Sequence, residues 1–528
     1  MLLSLNQNHY IPGDSLSLDA GVEPEDGHSQ PKADLYLVLV LPTGTFFCLD
    51  QNLALGEANK PLPLFRNWQI HNVPLMPVLS FSIPEGVPVG TYQWWLVLVR
   101  AGGDVAQSAD WLGSAHVSWA IGTSPAAVED LHSARPRILN PPVTTDQLQK
   151  LVTGNSAFAF RLYQQLGRQS GNLFFSPYSI SLALAMTAAG AKDATATQLD
   201  TALGFSSCTN VPAAFDALNL DLSDRGAQVD ETKGEKFQLS VANSLWGQRG
   251  FAFLDGYLDL LSEYYGAGMQ LVDFAGETER ARQAINQWVE NETRKKIKDL
   301  IPAGGLPPET RLVLTNAVYF KAGWLHPFDE IFTSDGVFHL PDGGEEIVPM
   351  MSEMESFAYV AGNGYQAVEL PYYGEELSML VILPDAGALA SVEQLLTVAE
   401  IEGITSRMKI ENIRLTLPKF QFTWGTKSLK HALVSLGVED AFDPTRADFS
   451  GMDGRQDLFI GDVLHQAFVA VDEKGTEAAA ATAVSMIATS VPAVSPRELR
   501  VDRPFIFLIR DVKTGTVLFI GRVENPLQ

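Results

Sequence analysis

Cysteine is nearly absent: the 528 residues hold two, Cys48 and Cys208. So few exclude a disulfide-rich scaffold and any zinc finger built on cysteine pairs. The two thiols lie far apart and are expected to be free, buried and in different domains. Positive charge is also scarce. Against 62 Asp and Glu stand 37 Lys and Arg, for a net charge of −25, which argues against nucleic acid, acidic membranes or a polyanion as partners. No apolar run approaches the ~18 residues a membrane helix needs; Leu35–Leu41 is typical of the longest. Met1–Asn6 lacks a basic region leading into a long apolar stretch, so a signal peptide is expected to be absent or already removed. Catalytic signatures are missing as well. There is no Gly-x-Ser-x-Gly elbow, no His-Glu-x-x-His, no phosphate-binding Gly-Lys-Ser/Thr loop and no Cys-x-x-Cys. None of the nine histidines lies three or four residues from another, the helical spacing of paired metal ligands. The expectation is a protein that is not an enzyme and carries no metal or cofactor.

What is present is a globular composition, 46% hydrophobic and 19% charged. Residues 1–121 read as β. Strand candidates Ser15–Leu18, Asp34–Leu41, Val78–Ile83, Thr91–Val99 and Ala115–Ile121 are separated by Pro- and Gly-containing turns such as Pro12-Gly13-Asp14. Short strands with such turns predict an all-β sandwich. Tyr10–Asp14 and Pro88–Tyr92 resemble segments of Ig-like accessory domains on exported proteins. In the pairs Trp94-Trp95 and Phe46-Phe47, one ring is expected in the core and the other on the rim. Residues 122–143, rich in proline, predict an interdomain linker. Thr144-Thr145-Asp146 then caps a helix whose apolar positions include Leu148, Leu151, Phe158 and Leu162. The basic run Arg294–Lys298 reads as a solvated helix end.

Four separated motifs carry more information. Asn172–Ile180 precedes a helix expected to begin near Ser181. Leu314–Trp324 is followed by Pro327-Phe328. His465 stands ahead of Val471-Asp472-Glu473-Lys474-Gly475-Thr476-Glu477 and an alanine run. The chain closes with Asp502–Phe507 and Leu518–Pro526. In this order the motifs resemble the serpin family of serine protease inhibitors, over residues 144–528. The resemblance implies an α+β serpin fold, with a large central β-sheet, surrounding helices and an exposed reactive-centre loop. It implies a polar cluster of Ser176, Ser179, Asn316 and His465 beneath the sheet where strands part, and Trp324 near the loop's entry, where Glu473 is expected to pair with Lys430.

The segment after Glu473 is ambivalent on its own terms. Alanines 478–481 favour helix, whereas Thr482, Val484, Ile487, Thr489 and Val491 favour strand. No proline appears before Pro492, as a central strand requires. The family's behaviour gives the hinge as Glu473, Gly475, Thr476, Glu477, Ala478, Ala479, Ala480, Ala481 and Thr482. With Thr476 facing inward, so do Ala478, Ala480, Thr482, Val484 and Met486. Counting sixteen residues on from Glu473, the family's usual interval, puts the reactive bond at Thr489–Ser490. Counting back from Pro504 points to Ala493, and Met486, Ile487, Ala488 and Val491 compete. The small aliphatic flank suits elastase-like or subtilisin-like endopeptidases, serine or possibly cysteine, as covalent acyl-enzyme partners of a monomeric inhibitor. A non-inhibitory binding protein (carrier, adhesin or chaperone) on the same scaffold is the alternative. An extracellular or cell-surface setting is expected.

Overall fold

The computed structural model describes residues 1–528 except 7–8, 11–13, 23–31, 85–86, 122–127, 227–236 and 477–494. The chain divides into two units, Met1–Pro125 and Ala126–Gln528.

The first unit is all β. A three-stranded sheet holds Leu2–Leu5, Ser15–Val22 and Val73–Ser82; a six-stranded sheet is built around Lys32–Val40, Gly90–Arg100 and Trp111–Ile121. The five expected strands each overlap an observed one. Four short strands, among them Phe46–Cys48 and Phe65–Gln69, carry too few residues to show an alternation. Leu16 and Leu18 from one sheet and Leu37, Trp94 and Leu96 from the other share one core. The pleat sends Trp94 into that core and leaves Trp95 half-buried on the opposite face, stacked on His116 at 4.3 Å. Phe46 and Phe47 both stay half-buried. Each unit has one cysteine, and both are free and buried.

The second unit contains a nine-stranded and a seven-stranded sheet. The strands of the latter are β1 (Glu129–Leu131), β2 (Gln238–Gln248), β3 (Met269–Val272), β4 (Leu312–Gly323), β5 (Phe420–Ser428), β6 (Ile460–Asp472) and β7 (Gly475–Thr476), in the order β1-β3-β2-β4-β7-β6-β5. The helices used below are α1 (Thr145–Leu166), α2 (Pro177–Ala188), α3 (Val211–Ser223), α4 (Asp255–Tyr265) and α5 (Thr278–Glu292). Both faces of β4 are covered. Leu312, Leu314 and Val318 join the main core with α2 and α4, while Val313 and Ala317 pack with Ile285 and Val289 of α5. A strand buried on both sides reads as a continuous apolar run, as Leu312–Leu314 does.

Thr144 caps α1 through a reciprocal capping box with Gln147. The helix expected near Ser181 begins earlier, at Pro177, because Ser176 is a cap and proline suits the first helical position. The linker reading of 122–143 needs correction. Residues 129–131 form β1, an edge strand antiparallel to β3, and belong to the second unit. The prolines at 125, 136, 141 and 142 flank this strand without falling in it, and edge pairing needs only one row of hydrogen bonds.

Candidate functional site: a slot between two strands

β4 and β6 are parallel neighbours from Leu312↔Ile460 to Val318↔Ala467. Above that point they part, and β7 lies between them, antiparallel to both. Thr476 faces Ala322 on one side and Val471 on the other; Gly475 faces Gly323 and Asp472. The sheet is thus closed below and wedged open above, and the wedge is Gly475 and Thr476 of the predicted hinge.

Several groups hold it there. Thr476 is 1% exposed, and its hydroxyl shares a 2.7 Å hydrogen bond with the Tyr372 hydroxyl. Tyr372 stacks on Trp324 at 4.6 Å; burial raises its phenol pKa, which keeps the hydroxyl neutral. Trp324 Nε1 donates to the Asp472 carbonyl at 3.0 Å, and the Trp324 amide donates to the Lys474 carbonyl at 2.9 Å. The Asp472 carboxylate accepts from the amides of Lys474 and Gly475 at 2.9 and 3.2 Å, turning the chain into the slot. Glycine is required at 475. A Cβ there would lie 2.1 Å from the Ala322 carbonyl oxygen.

The expected Glu473–Lys430 pair does not form. Glu473 binds Lys419 Nζ at 2.8 Å and accepts from the Thr333 hydroxyl at 2.8 Å. Burial works to raise the Glu473 pKa, but these two partners outweigh it and hold the carboxyl below its ordinary value. Register explains the choice of lysine. Phe420 faces Val471 and Ser428 faces Leu464, so Lys419 stands beside the hinge while Lys430 lies past the other end of β5, roughly 30 Å away at strand rise. Lys430 begins a short helix and sits 5.4 Å from the Phe442 ring centre.

Below the slot the structure brings Ser176, Ser179, Asn316 and His465 together. Asn316 and His465 are direct partners across the β4–β6 seam. His465 Nδ1 donates to Asn316 Oδ1 at 2.5 Å, and Nε2 faces the Ser176 amide at 3.4 Å. Asn316 Nδ2 donates to Ser179 Oγ at 2.6 Å and to Asn243 Oδ1 at 2.5 Å. Asn243, opposite Asn316 on β2, was not legible in the sequence; it also bonds the Ser179 hydroxyl and carbonyl, each at 3.0 Å. Ser176 Oγ caps α2 and donates to the Leu518 carbonyl at 2.7 Å. The cluster ties both sides of the seam to the helix beneath. Burial pushes the His465 pKa down to about 3, so the ring is neutral, as an acceptor Nε2 requires. Tyr372, Lys419 and Thr333 likewise carried no sequence signal; Tyr372 bridges Trp324, Lys419 directly precedes β5 and Thr333 ends a 3-10 turn.

Glu477, Ala478, Ala479, Ala480, Ala481 and Thr482 of the predicted hinge, and the reactive bond Thr489–Ser490, lie outside the described residues.

The comparisons agree with this architecture. A family model for serpins, the serine protease inhibitors, matches residues 153–526. Leukocyte elastase inhibitor A of Mus musculus is 40% identical over 390 residues, 72% of this chain and 100% of its own length. The thermophilic serpin tengpin, solved in its native state, superposes with a TM-score of 0.65 at 30% identity, covering 75% of this chain and 99% of its own. Human thyroxine-binding globulin gives a TM-score of 0.63 at 30% identity, covering 72% and 100%. With most of its length matched, and two hinge residues lying as a strand between β4 and β6, the chain belongs to the serpin family of serine protease inhibitors.

Proposed function

We propose that the protein is a suicide-substrate inhibitor of endopeptidases that traps the acyl-enzyme by drawing its cleaved loop into the seven-stranded sheet. The observation that carries this is β7, a hinge already lodged between strands that pair directly only below it. The register also has the right length. Thr476 faces Ala322, and β4 runs ten further residues to Leu312. An inserting strand would therefore meet Leu312 at Met486, three residues short of Thr489. A bond at Thr489–Ser490 leaves enough loop to pair along the whole of β4, and filling it carries the tethered protease to the strand's far end.

In this mechanism the target's serine attacks the Thr489 carbonyl and the amine of Ser490 leaves. Insertion then replaces one β4–β6 ladder by two. The gain is about ten backbone hydrogen bonds at ~0.5–1.5 kcal/mol each, on the order of 10 kcal/mol before side-chain burial. That gain drags the ester-linked protease and disturbs its oxyanion hole, where one lost donor slows deacylation by roughly 10²–10³. The aliphatic stretch Ile487–Val491 and the relative named for an elastase support an elastase-like or subtilisin-like target. The N-terminal unit is assigned as an Ig-like accessory domain that tethers or spaces the inhibitor at a cell surface or outside the cell.

The test is incubation with elastase, subtilisin, trypsin and papain. An SDS-stable complex with an elastase-like enzyme is expected, and the released C-terminal peptide should begin at Ser490. Loop cleavage with no complex, from every protease tried, would favour the binding-protein reading. A peptide beginning at Val494 would move the reactive bond to Ala493.

A further inference from the structure

The residues just ahead of α1 form a strap. At one end β1 pairs with β3 through Glu129↔Leu271, Asp130↔Gln270 and Leu131↔Met269. The chain then crosses α4. The Ser133 hydroxyl donates to Asp259 at 2.5 Å, Arg135 reaches Asp259 at 2.8 Å and Glu263 at 3.0 Å, and the Ile138 amide donates to the Glu263 carbonyl at 2.8 Å. On α3, Arg137 Nε donates to Asp216 Oδ1 at 2.8 Å, and that carboxylate has no exposure. The seat is cut for the strap. A Cβ on Gly268 would lie 2.6 Å from the Leu131 carbonyl oxygen and 2.2 Å from His132 Nδ1; one on Gly266 would lie 3.1 Å from Arg137 Cδ.

We propose that residues 129–138 brake loop insertion by tying the moving half of the sheet to the helices beneath it, a reading that rests on the insertion mechanism above. To open the β4–β6 seam, the hydrogen-bonded block β3-β2-β4 has to slide over α3 and α4 unless the other half of the sheet does all the moving. Packed layers slide between discrete arrangements. The strap is bonded to the block through β1 and to the helices through Arg135, Arg137 and Ile138, so a shear of the block breaks one set. Losing the Arg137 set is costly, because it leaves the Asp216 charge buried without its partner.

The experiment uses full-length protein and no protease. Native chains are held just below their unfolding midpoint, and the rate at which they pass to a urea-resistant, inserted form is followed on gels. Arg137→Gln, which unpairs Asp216, and Gly268→Ala, which displaces the strap from its seat, should each convert roughly tenfold faster or more. Arg135→Gln should convert about two- to fivefold faster; its side chain is 60% exposed, so this variant folds even if the others do not. Freshly prepared variants should trap protease at the parental stoichiometry. Folded variants that convert at the parental rate would overturn the brake. So would an equal fall in the melting temperature of the cleaved forms, which would make the strap a general stabiliser. If cleaved parent never takes on extra heat resistance, the insertion reading itself fails before any variant is compared.

Discussion

The upper and lower halves of the β4–β6 seam are built on opposite plans. Above Val318 the strands are held apart by a two-residue wedge with aromatic side chains and one buried carboxylate around it. Below, they pair directly, and three amide and imidazole side chains plus two serines pin them to α2. The upper half already holds Gly475 and Thr476 as a strand; under the proposed mechanism the lower half is where the rest of the loop would enter. The proposed insertion would need both, since an unlatched seam would fill spontaneously and an unstarted one would have no path for the loop.

The comparison breaks most completely at the wedge. Thr476→Arg must bury a guanidinium among Tyr372, Ala322 and Val471 or expel the hinge, a cost of several kcal/mol. The expected result is loss of the SDS-stable complex while loop cleavage continues, and unchanged trapping would overturn it. Gly475→Ala should behave alike, since its Cβ meets the Ala322 carbonyl oxygen at 2.1 Å. Glu477→Arg is the control and should still trap, because alternation sends that residue to the opposite face of an inserting strand.

Acid should act on the lower half. His465 has a folded pKa of about 3, below its ordinary 6.5. The unfolded chain therefore binds the proton more readily than the native one. Stability from a neutral His465 is complete above pH ~6.5 and falls as the pH drops toward 3, by on the order of 5 kcal/mol over the whole window. Denaturant unfolding at intervals between pH 7 and pH 4 should show the decline. His465→Gln, which cannot take up the proton, should flatten it.

Asn316→Ala should come next in size. It deletes the donor to Ser179 and Asn243 and the acceptor of His465, leaving buried groups unpaired at ~1–3 kcal/mol. A melting temperature lower by a few degrees and faster spontaneous insertion are expected from scanning calorimetry and urea gels; neither change would mean the seam is held by its backbone alone. The smallest effect separates the two lysines. Lys419→Met should cost about 1 kcal/mol or somewhat more, because Glu473 is nearly buried and keeps only Thr333. Lys430→Met should leave stability within ~0.5 kcal/mol of the parent. Equal effects would mean that the Lys419 contact contributes nothing.

The first unit's strands were legible where long apolar stretches lay between turns, as in Gly90–Arg100, and illegible where a strand had two to five residues. Ser176 caps α2 with Pro177 in its first turn, yet the helix was expected four residues late: its residues are apolar on every side and show no period to mark a start. Residues 129–143 looked like linker since prolines dominate the stretch, and nothing local says that Arg137 has a buried carboxylate waiting on α3.

By itself the sequence determined the family resemblance, the need for glycine at 475 and the residues of the seam that lie in contiguous motifs, because each of these depends on local order: glycine where two backbones nearly touch, a cap before a helix. Which lysine meets Glu473, that Asn243 completes the seam, that Tyr372 grips Thr476 and that residues 129–131 form an edge strand were decided by the tertiary structure alone. Those contacts join residues from 54 to 142 positions apart, and their partners are chosen by strand register, which no local pattern encodes.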